Sequence, residues 1–245
     1  MAYAWRWLRS FVFVLQMYAM MLVIGLLYLP GAILSPEGAR RGCKAYCRWV
    51  FWTARWMIGL RCEVRGTPPA AGALIAAKHQ SFLDILMIFN ALPAAIFIMK
   101  REILWTPIIG LYAYRLGCVP VNRGKRGVAI KKMLAAVAAG HKALGQLIIY
   151  SQGTRVAPGV KMPYKIGTGA LYEQMGQDCA PVATNVGVFW PRTGIYRKPG
   201  LAVVEFLPVI PPGLERGAFM ARLEADVESA SDRLIAEARA SLREG

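Results

Sequence analysis

Hydrophobic and polar positions follow two regimes along this chain. From Phe11 to Leu29 the run FVFVLQMYAMMLVIGLLYL holds 19 residues with no charge and one polar side chain, Gln16. It predicts a helix that is apolar all round, about 28 Å long against a hydrocarbon core of about 30 Å. A second apolar stretch, Ala45 to Leu60, interleaves Trp49, Trp52 and Trp56 with Arg48 and Arg55. It is too short and too charged to span, and Trp beside Arg suits the headgroup boundary.

Past Gly66-Thr67-Pro68-Pro69 the pattern becomes short β-branched apolar runs alternating with helical periodicity. Strands are expected at Ala73–Lys78, Ile96–Met99, Cys118–Val121, Leu147–Tyr150, Pro181–Phe189 and Ala202–Leu207. Helices are expected at Phe82–Ala91, Pro107–Leu116, Gly127–Leu144 and Gly167–Met175, and a charged one closes the chain from about Glu215 to Leu242. This is the signature of an α/β domain, a mixed β-sheet covered by helices, with an N-terminal hydrophobic helical membrane anchor. The expected division is a membrane-associated helical segment over 1–65 and a catalytic domain over 66–245.

Charge sharpens the picture. Lys and Arg number 30 against 14 Asp and Glu, a net +16, while charged residues are only 18% of the 245 and apolar ones 56%. An anionic membrane lipid surface is the expected partner, since each Lys or Arg near it is worth about 1 kcal/mol. No basic helix or aromatic-plus-basic stripe stands out, so nucleic acid is not expected. Arg6 and Arg9 precede the first helix, and Arg40, Arg41, Lys44 and Arg48 follow it. The excess after it points to an inner (cytoplasmic) membrane location with the catalytic domain facing the cytoplasm. A cleaved signal would have a shorter core ending in small residues, whereas this one ends at Tyr28-Leu29-Pro30. Basic flanks on both sides also fit a hairpin that enters and leaves one leaflet, and a buried helical pair in a soluble core is the plain alternative. Five scattered cysteines argue for reduced thiols and against a disulfide framework or a zinc site.

The candidate chemistry begins at Lys78-His79-Gln80-Ser81-Phe82-Leu83-Asp84. His79 falls where a strand gives way to a helix, with Ser81 as a candidate N-cap and Asp84 in the first turn. A carboxylate on one ring nitrogen leaves the other to take a proton from a hydroxyl. The plain alternative is an ordinary histidine near a helix start. Next, Asn122-Arg123-Gly124-Lys125-Arg126 follows a strand end, where an arginine can grip a phosphate with two parallel hydrogen bonds, or merely be solvated. After another strand, Gln152-Gly153-Thr154-Arg155 offers close backbone approach, a hydroxyl and a second anion clamp, and Lys161 and Lys165 follow. Pro181 opens a strand that could wall the same pocket or simply be buried.

These four segments, in this order, resemble the 1-acylglycerol-3-phosphate (lysophosphatidic acid) acyltransferase family of glycerolipid acyltransferases. That family carries a His-x4-Asp block, a strand ending in Asp-Arg, a Pro-Glu-Gly-Thr-Arg block and an apolar-Pro-Val block. The resemblance covers about Leu74 to Val188, with Lys100, Pro107, Gly110, Lys165 and Gly167 also where members tend to have the same residues. It implies His79 as general base, Asp84 as its partner, Arg123, Gly153, Thr154 and Arg155 on the acceptor's phosphate, and Lys100, Asn122, Gln152, Lys165 and Pro181 in the pocket. It also implies acyl transfer from acyl-CoA or an acyl carrier protein to the sn-2 hydroxyl of lysophosphatidic acid, with no metal and no cofactor beyond that co-substrate. Two positions depart from the pattern. Gln152 stands for the family's Glu and Asn122 for its Asp, swaps that keep the shape and most hydrogen bonds, take two negative charges away from a phosphate and exclude a carboxylate role for Gln152 in acceptor binding.

A direct transfer is therefore expected. Cys118 as a nucleophile has no second histidine close in sequence, and His141 sits in an Ala-rich helical pattern. Alternatives are an acyltransferase for another acceptor, such as glycerol 3-phosphate or a lysophospholipid, and a non-catalytic basic membrane-binding protein. A hydrolase would be expected to carry a Gly-x-Ser-x-Gly elbow, which the chain lacks.

Overall fold

The computed structural model describes residues 2–121 and 145–244, with 128, 131 and 135 between them. Helix α1 (Ala2–Leu27) is followed by α2 (Leu29–Leu34) and α3 (Pro36–Thr53), whose start Ser35 caps by accepting from the Gly38 amide at 2.9 Å. A π-turn over Ala54–Ile58 ends α3 and leads into the sheet. The strands are β1 (Leu60–Arg65), β2 (Ala73–Ala77), β3 (Ala95–Lys100), β4 (Val119–Val121), β5 (Gln146–Tyr150), β6 (Cys179–Thr184) and β7 (Gly200–Phe206). Between them lie α4 (Leu83–Ala91), α5 (Ile109–Arg115) and α6 (Gly167–Met175), and α7 (Arg216–Glu244) closes the chain.

The strands form one mixed sheet in the order β1-β7-β6-β2-β5-β3-β4, parallel except for the β6–β7 pair. Its central strand β2, ALIAA, is buried on both faces, as an interior parallel strand must be. One face is covered by α7, whose Phe219, Leu223 and Val227 pack with Leu74, Ala76 and Leu147. The other carries α4 and, outside it, α1 and α3, with Phe13, Met17, Val50 and Leu83 in one core cluster.

Most expected elements lie within about two residues of their place in the structure, and β1 and β6 depart further. β1 was not among the expected strands, and it pairs with β7 along its length, so the sheet begins at Leu60 rather than after residue 66. Its burial alternates weakly because it is an edge strand beside Trp- and Arg-rich helix, and that masked its period. β6 stops at Thr184 instead of reaching Phe189, because Val186–Val188 turn into a 3₁₀ segment that the Thr184 hydroxyl starts by accepting from the Val186 amide. Of the helix expected over Gly127–Leu144, residues 128, 131 and 135 are described and are helical, and the rest lies outside the described residues.

The apolar N-terminal stretch is helical from Tyr3 to Leu27 and long and apolar enough to cross a membrane. It is also fastened to the domain at both ends. Near its start the Ser10 hydroxyl accepts from the Arg197 amide at 3.0 Å, and Phe13 meets Trp190 edge-on. Midway, Gln16 bridges Trp49 and Thr53 of α3. Near its end the Tyr112 hydroxyl donates to the Gly25 carbonyl at 2.9 Å. The outward face keeps Tyr3, Trp5, Leu15, Tyr18, Leu22 and Leu27 exposed.

Candidate active site

His79 follows β2, the strand at the middle of the sheet, two residues beyond the level where Ala77 faces Tyr150 of β5 and Val182 of β6. Side chains alternate at this exit. Lys78 turns to the α7 side, where its buried ammonium meets Glu228 at 2.5 Å, and Glu228 also accepts from the Tyr164 hydroxyl. His79 turns to the other side. The carboxyl ends of parallel strands are where α/β sheets place ligands, and a cavity of about 360 Å³ opens there. It is lined by His79 just beyond β2, from β3 by Ile98, Met99 and Lys100, from β4 by Val121, and from β5 and the turn after it by Ile149, Tyr150, Gly153, Thr154 and Arg155. Lys165, Gly167 and Thr168 at the start of α6 and Arg192 complete it.

Asp84 is fully buried in the first turn of α4. One carboxylate oxygen lies 2.8 Å from His79 Nδ1, and the other accepts from the Gln80 and Ser81 amides at 2.7 Å each. Both amides belong to the segment entering α4, so the carboxylate ties that segment down from the first turn of the helix while it holds the imidazole. Ser81 contributes a weaker cap, its hydroxyl accepting from the Leu83 amide at 3.2 Å, and Phe82 occupies the boundary position. An ionised carboxylate can only accept, so Nδ1 carries the proton and Nε2 is left to receive one.

The Tyr150 ring stacks on the imidazole at 3.9 Å with 19° between planes. Burial first, and then the Asp84 carboxylate, push the Tyr150 hydroxyl's ionisation well above its ordinary value, so it stays a neutral phenol. Sequence reasoning did not single it out, because an aromatic at a strand end is an ordinary core residue and only its level with Ala77 reveals the contact. Gln80 is held from behind, its side-chain oxygen accepting from the Gly187 amide at 2.9 Å.

The turn after β5 brings Gly153 to φ +73°, a left-handed value that glycine adopts freely, with its amide donating to the Tyr150 carbonyl at 2.8 Å. Val156 to the His79 carbonyl and Lys165 to the Ser151 carbonyl tie the loop down at 2.8 and 2.7 Å. Gly153, Thr154, Arg155 and Lys165 thus share the cavity with His79. Lys100 reaches it too, half exposed and 3.2 Å from Glu102. Asn122 and Arg123 lie outside the described residues. Gln152 is buried and does not line the cavity: its amide nitrogen donates to the Met162 carbonyl at 3.1 Å, and its amide oxygen has no partner among the described residues. Pro181 also stays out of it, buried in β6 opposite Ala76.

Thr168 and Arg192 are lining residues that the sequence did not flag. Thr168 is buried and its hydroxyl has no partner among the described residues, and Arg192 donates to the Arg155 carbonyl at 3.3 Å. Arg192 is 37 residues beyond Arg155, in a segment with no motif of its own. The lining carries Lys100, Arg155, Lys165 and Arg192 and no carboxylate among the described residues, so a phosphate-bearing molecule would meet cations on several sides. No three His, Cys, Asp or Glu side chains gather in metal-binding geometry among the described residues. None of the five cysteines forms a disulfide.

Residues 61–185, just over half of the chain, match the family model described as Acyltransferase. A 1-acyl-sn-glycerol-3-phosphate acyltransferase of Pseudomonas aeruginosa is 27% identical over 239 residues, 96% of this chain and 91% of that protein. The human 1-acyl-sn-glycerol-3-phosphate acyltransferase alpha is 28% identical over 162 residues, and there the match takes in 64% of this chain and 57% of the human one. The crystal structure of the 1-acyl-sn-glycerophosphate (LPA) acyltransferase of Thermotoga maritima has the same fold, with a TM-score of 0.78 at 18% identity over 94% of this chain and 97% of that one.

Proposed function

We propose, since the chain belongs to the acyltransferase family, that it moves a fatty acyl group from acyl-CoA or an acyl carrier protein to the sn-2 hydroxyl of 1-acylglycerol 3-phosphate, giving phosphatidic acid for phospholipid synthesis. The observation that carries this reading is the Asp84-held imidazole of His79 facing a cavity ringed by cations. Relatives named for this acceptor support its choice.

In this mechanism His79 Nε2 takes the proton from the acceptor hydroxyl as its oxygen attacks the thioester carbonyl. The carbon–sulfur bond then breaks, and the thiolate leaves with the proton returned by His79. General-base help of this kind is worth about 10²–10⁴-fold. Arg155, with the Thr154 hydroxyl, holds the acceptor phosphate, Gly153 leaves room for its close approach, and Lys165 and Lys100 add charge. Such positioning can supply about 7–11 kcal/mol of the barrier. The reaction so written needs no metal or redox group.

The donor thioesters are water-soluble and the acceptor is a lipid, so the site belongs at a membrane surface, here assigned to the cytoplasmic leaflet of the inner membrane. Fastened to the domain at both ends, α1 cannot stand across a bilayer independently of the body. It is read as lying in the interface, with Trp5, Leu15, Tyr18 and Leu22 in lipid.

The test is purified protein in detergent with labelled acyl-CoA or acyl carrier protein, offered lysophosphatidate or glycerol 3-phosphate. Label passing to lysophosphatidate with the wild type and not with His79→Ala supports the proposal. Transfer to glycerol 3-phosphate alone overturns the acceptor, and unchanged transfer by His79→Ala overturns the base.

A further inference from the structure

A larger cavity of about 670 Å³ lies at the other edge of the sheet and shares no lining residue with the catalytic one. Its walls come from elements far apart in sequence: Arg6 on α1, Arg61 on β1, Lys198 in the approach to β7, and the end of α7. Its strands, β1 and β7, lie on the far side of β6 from β2, which leads to His79.

Arg6, Arg61 and Lys198 are exposed and form no ion pair with any described residue. The one carboxylate in the lining, Glu237, is already engaged, with Arg65 at 2.8 Å and Arg233 at 3.0 Å. The cavity therefore carries three uncompensated cations. Pro199, Leu201 and Leu242 give it an apolar side, beside the polar Asn185 and Ser241. Tyr196, also in the lining, stacks on Tyr3 of α1 at 5.4 Å, and Trp5 and Trp7 on the same turns are exposed. Cations, an apolar wall and interfacial aromatics in one place suit an anionic amphiphile rather than a small soluble anion.

We infer that this cavity is a second site, distinct from the catalytic one, for the phosphate headgroup of an anionic membrane phospholipid. Its phosphate would sit among Arg6, Arg61 and Lys198, with the glycerol and first methylenes on Leu201 and Leu242. The inference is independent of the reaction performed at His79.

The test uses the full chain in neutral detergent, titrated with dihexanoyl phosphatidylglycerol and followed by native mass spectrometry, with dihexanoyl phosphatidylcholine alongside. At about fivefold per charge, Arg61→Gln with Lys198→Gln is expected to weaken phosphatidylglycerol binding about 25-fold. Arg222→Glu, an equal change of net charge on the outer part of α7, and Arg155→Ala in the catalytic cavity are expected to leave it unchanged. Arg6→Gln, on a separate element, is expected to weaken it about fivefold. Equal loss with Arg222→Glu would reduce the effect to overall charge, and loss with Arg155→Ala would move it to the catalytic cavity. Displacement of the lipid by inorganic phosphate or glycerol 3-phosphate at matching concentration would make this a soluble-phosphate site. An unaffected double variant, or equal binding of phosphatidylcholine, would also overturn the assignment.

Discussion

Asp84→Asn separates the two duties of one carboxylate. In the wild type one oxygen receives His79 Nδ1–H and the other receives the Gln80 and Ser81 amides. The asparagine oxygen can keep both amides, since they share one acceptor. Its NH2 group then faces Nδ1 and demands an acceptor there, which pushes the ring proton to Nε2. A ring protonated at Nε2 cannot take the substrate's proton, so the general-base contribution of about 10²–10⁴ is lost, about 2.7–5.5 kcal/mol at 1.36 kcal/mol per decade. Stability should change far less. Trading charge-assisted for neutral hydrogen bonds costs about 1 kcal/mol each, partly offset because no charge is buried. A net loss of about 1–2 kcal/mol corresponds to about 2–8 °C in Tm. Asp84→Ala instead orphans two buried amides, at about 1–3 kcal/mol each, and should lower Tm more for a similar loss of activity. The assay is kcat for transfer to lysophosphatidate beside a melting curve. A folded Asp84→Asn protein that keeps more than about a tenth of wild-type kcat would refute the tautomer argument.

Restoring the family's carboxylate with Gln152→Glu should destabilise this chain by about 1–3 kcal/mol at neutral pH, because an ionised Glu cannot donate to the Met162 carbonyl. The disfavoured ionised form raises the folded-state value of this carboxyl above the ordinary one of about 4.3. The penalty relative to wild type should therefore shrink as pH falls from neutral through that raised value and be gone below about pH 4.3, and a series of melts against pH checks the sign. Tyr150→Phe should retain nearly all activity, since the ring supplies the stacking contact, whereas Tyr150→Ala should lower kcat at least tenfold and stability by about 3–5 kcal/mol. Steady-state kinetics on both variants test this, and a Phe variant as impaired as Ala would shift the role to the hydroxyl. Burial pushes the Cys62 and Cys179 thiols up to about 12, so both should stay un-ionised and resist alkylation at pH 8 until the protein is denatured, as mass spectrometry of the labelled protein would reveal.

Most of the architecture was legible because its signals are local. Short continuous apolar runs such as ALIAA and LIIY read as buried strands, and α6 has the bounds its pattern predicts. His79 and Asp84 were legible as a pair because five residues across a strand-to-helix turn leave few geometries open. The missing parts are long-range. β1 is a strand only because β7 comes back beside it more than a hundred residues later. Arg192 and Thr168 join the cavity through strand order, which no window of sequence contains. Gln152 shows the opposite error: a residue inside a catalytic-looking block turns inward and serves the loop.

The fastening of α1 at Ser10, Gln16 and Gly25 makes the hydrophobic helix a wall of the catalytic body instead of a tether. A tethered domain would sweep a volume of solution, and its rate would follow bulk concentration. With α1 in the interface as proposed, a body mounted rigidly on it would encounter a lipid acceptor only in two dimensions. Its rate should therefore follow the mole fraction of acceptor in the surface, falling when inert lipid is added at constant bulk concentration. For the same reason trimming α1 would strip Phe13 and Met17 from the core, so membrane attachment and folding stand or fall together.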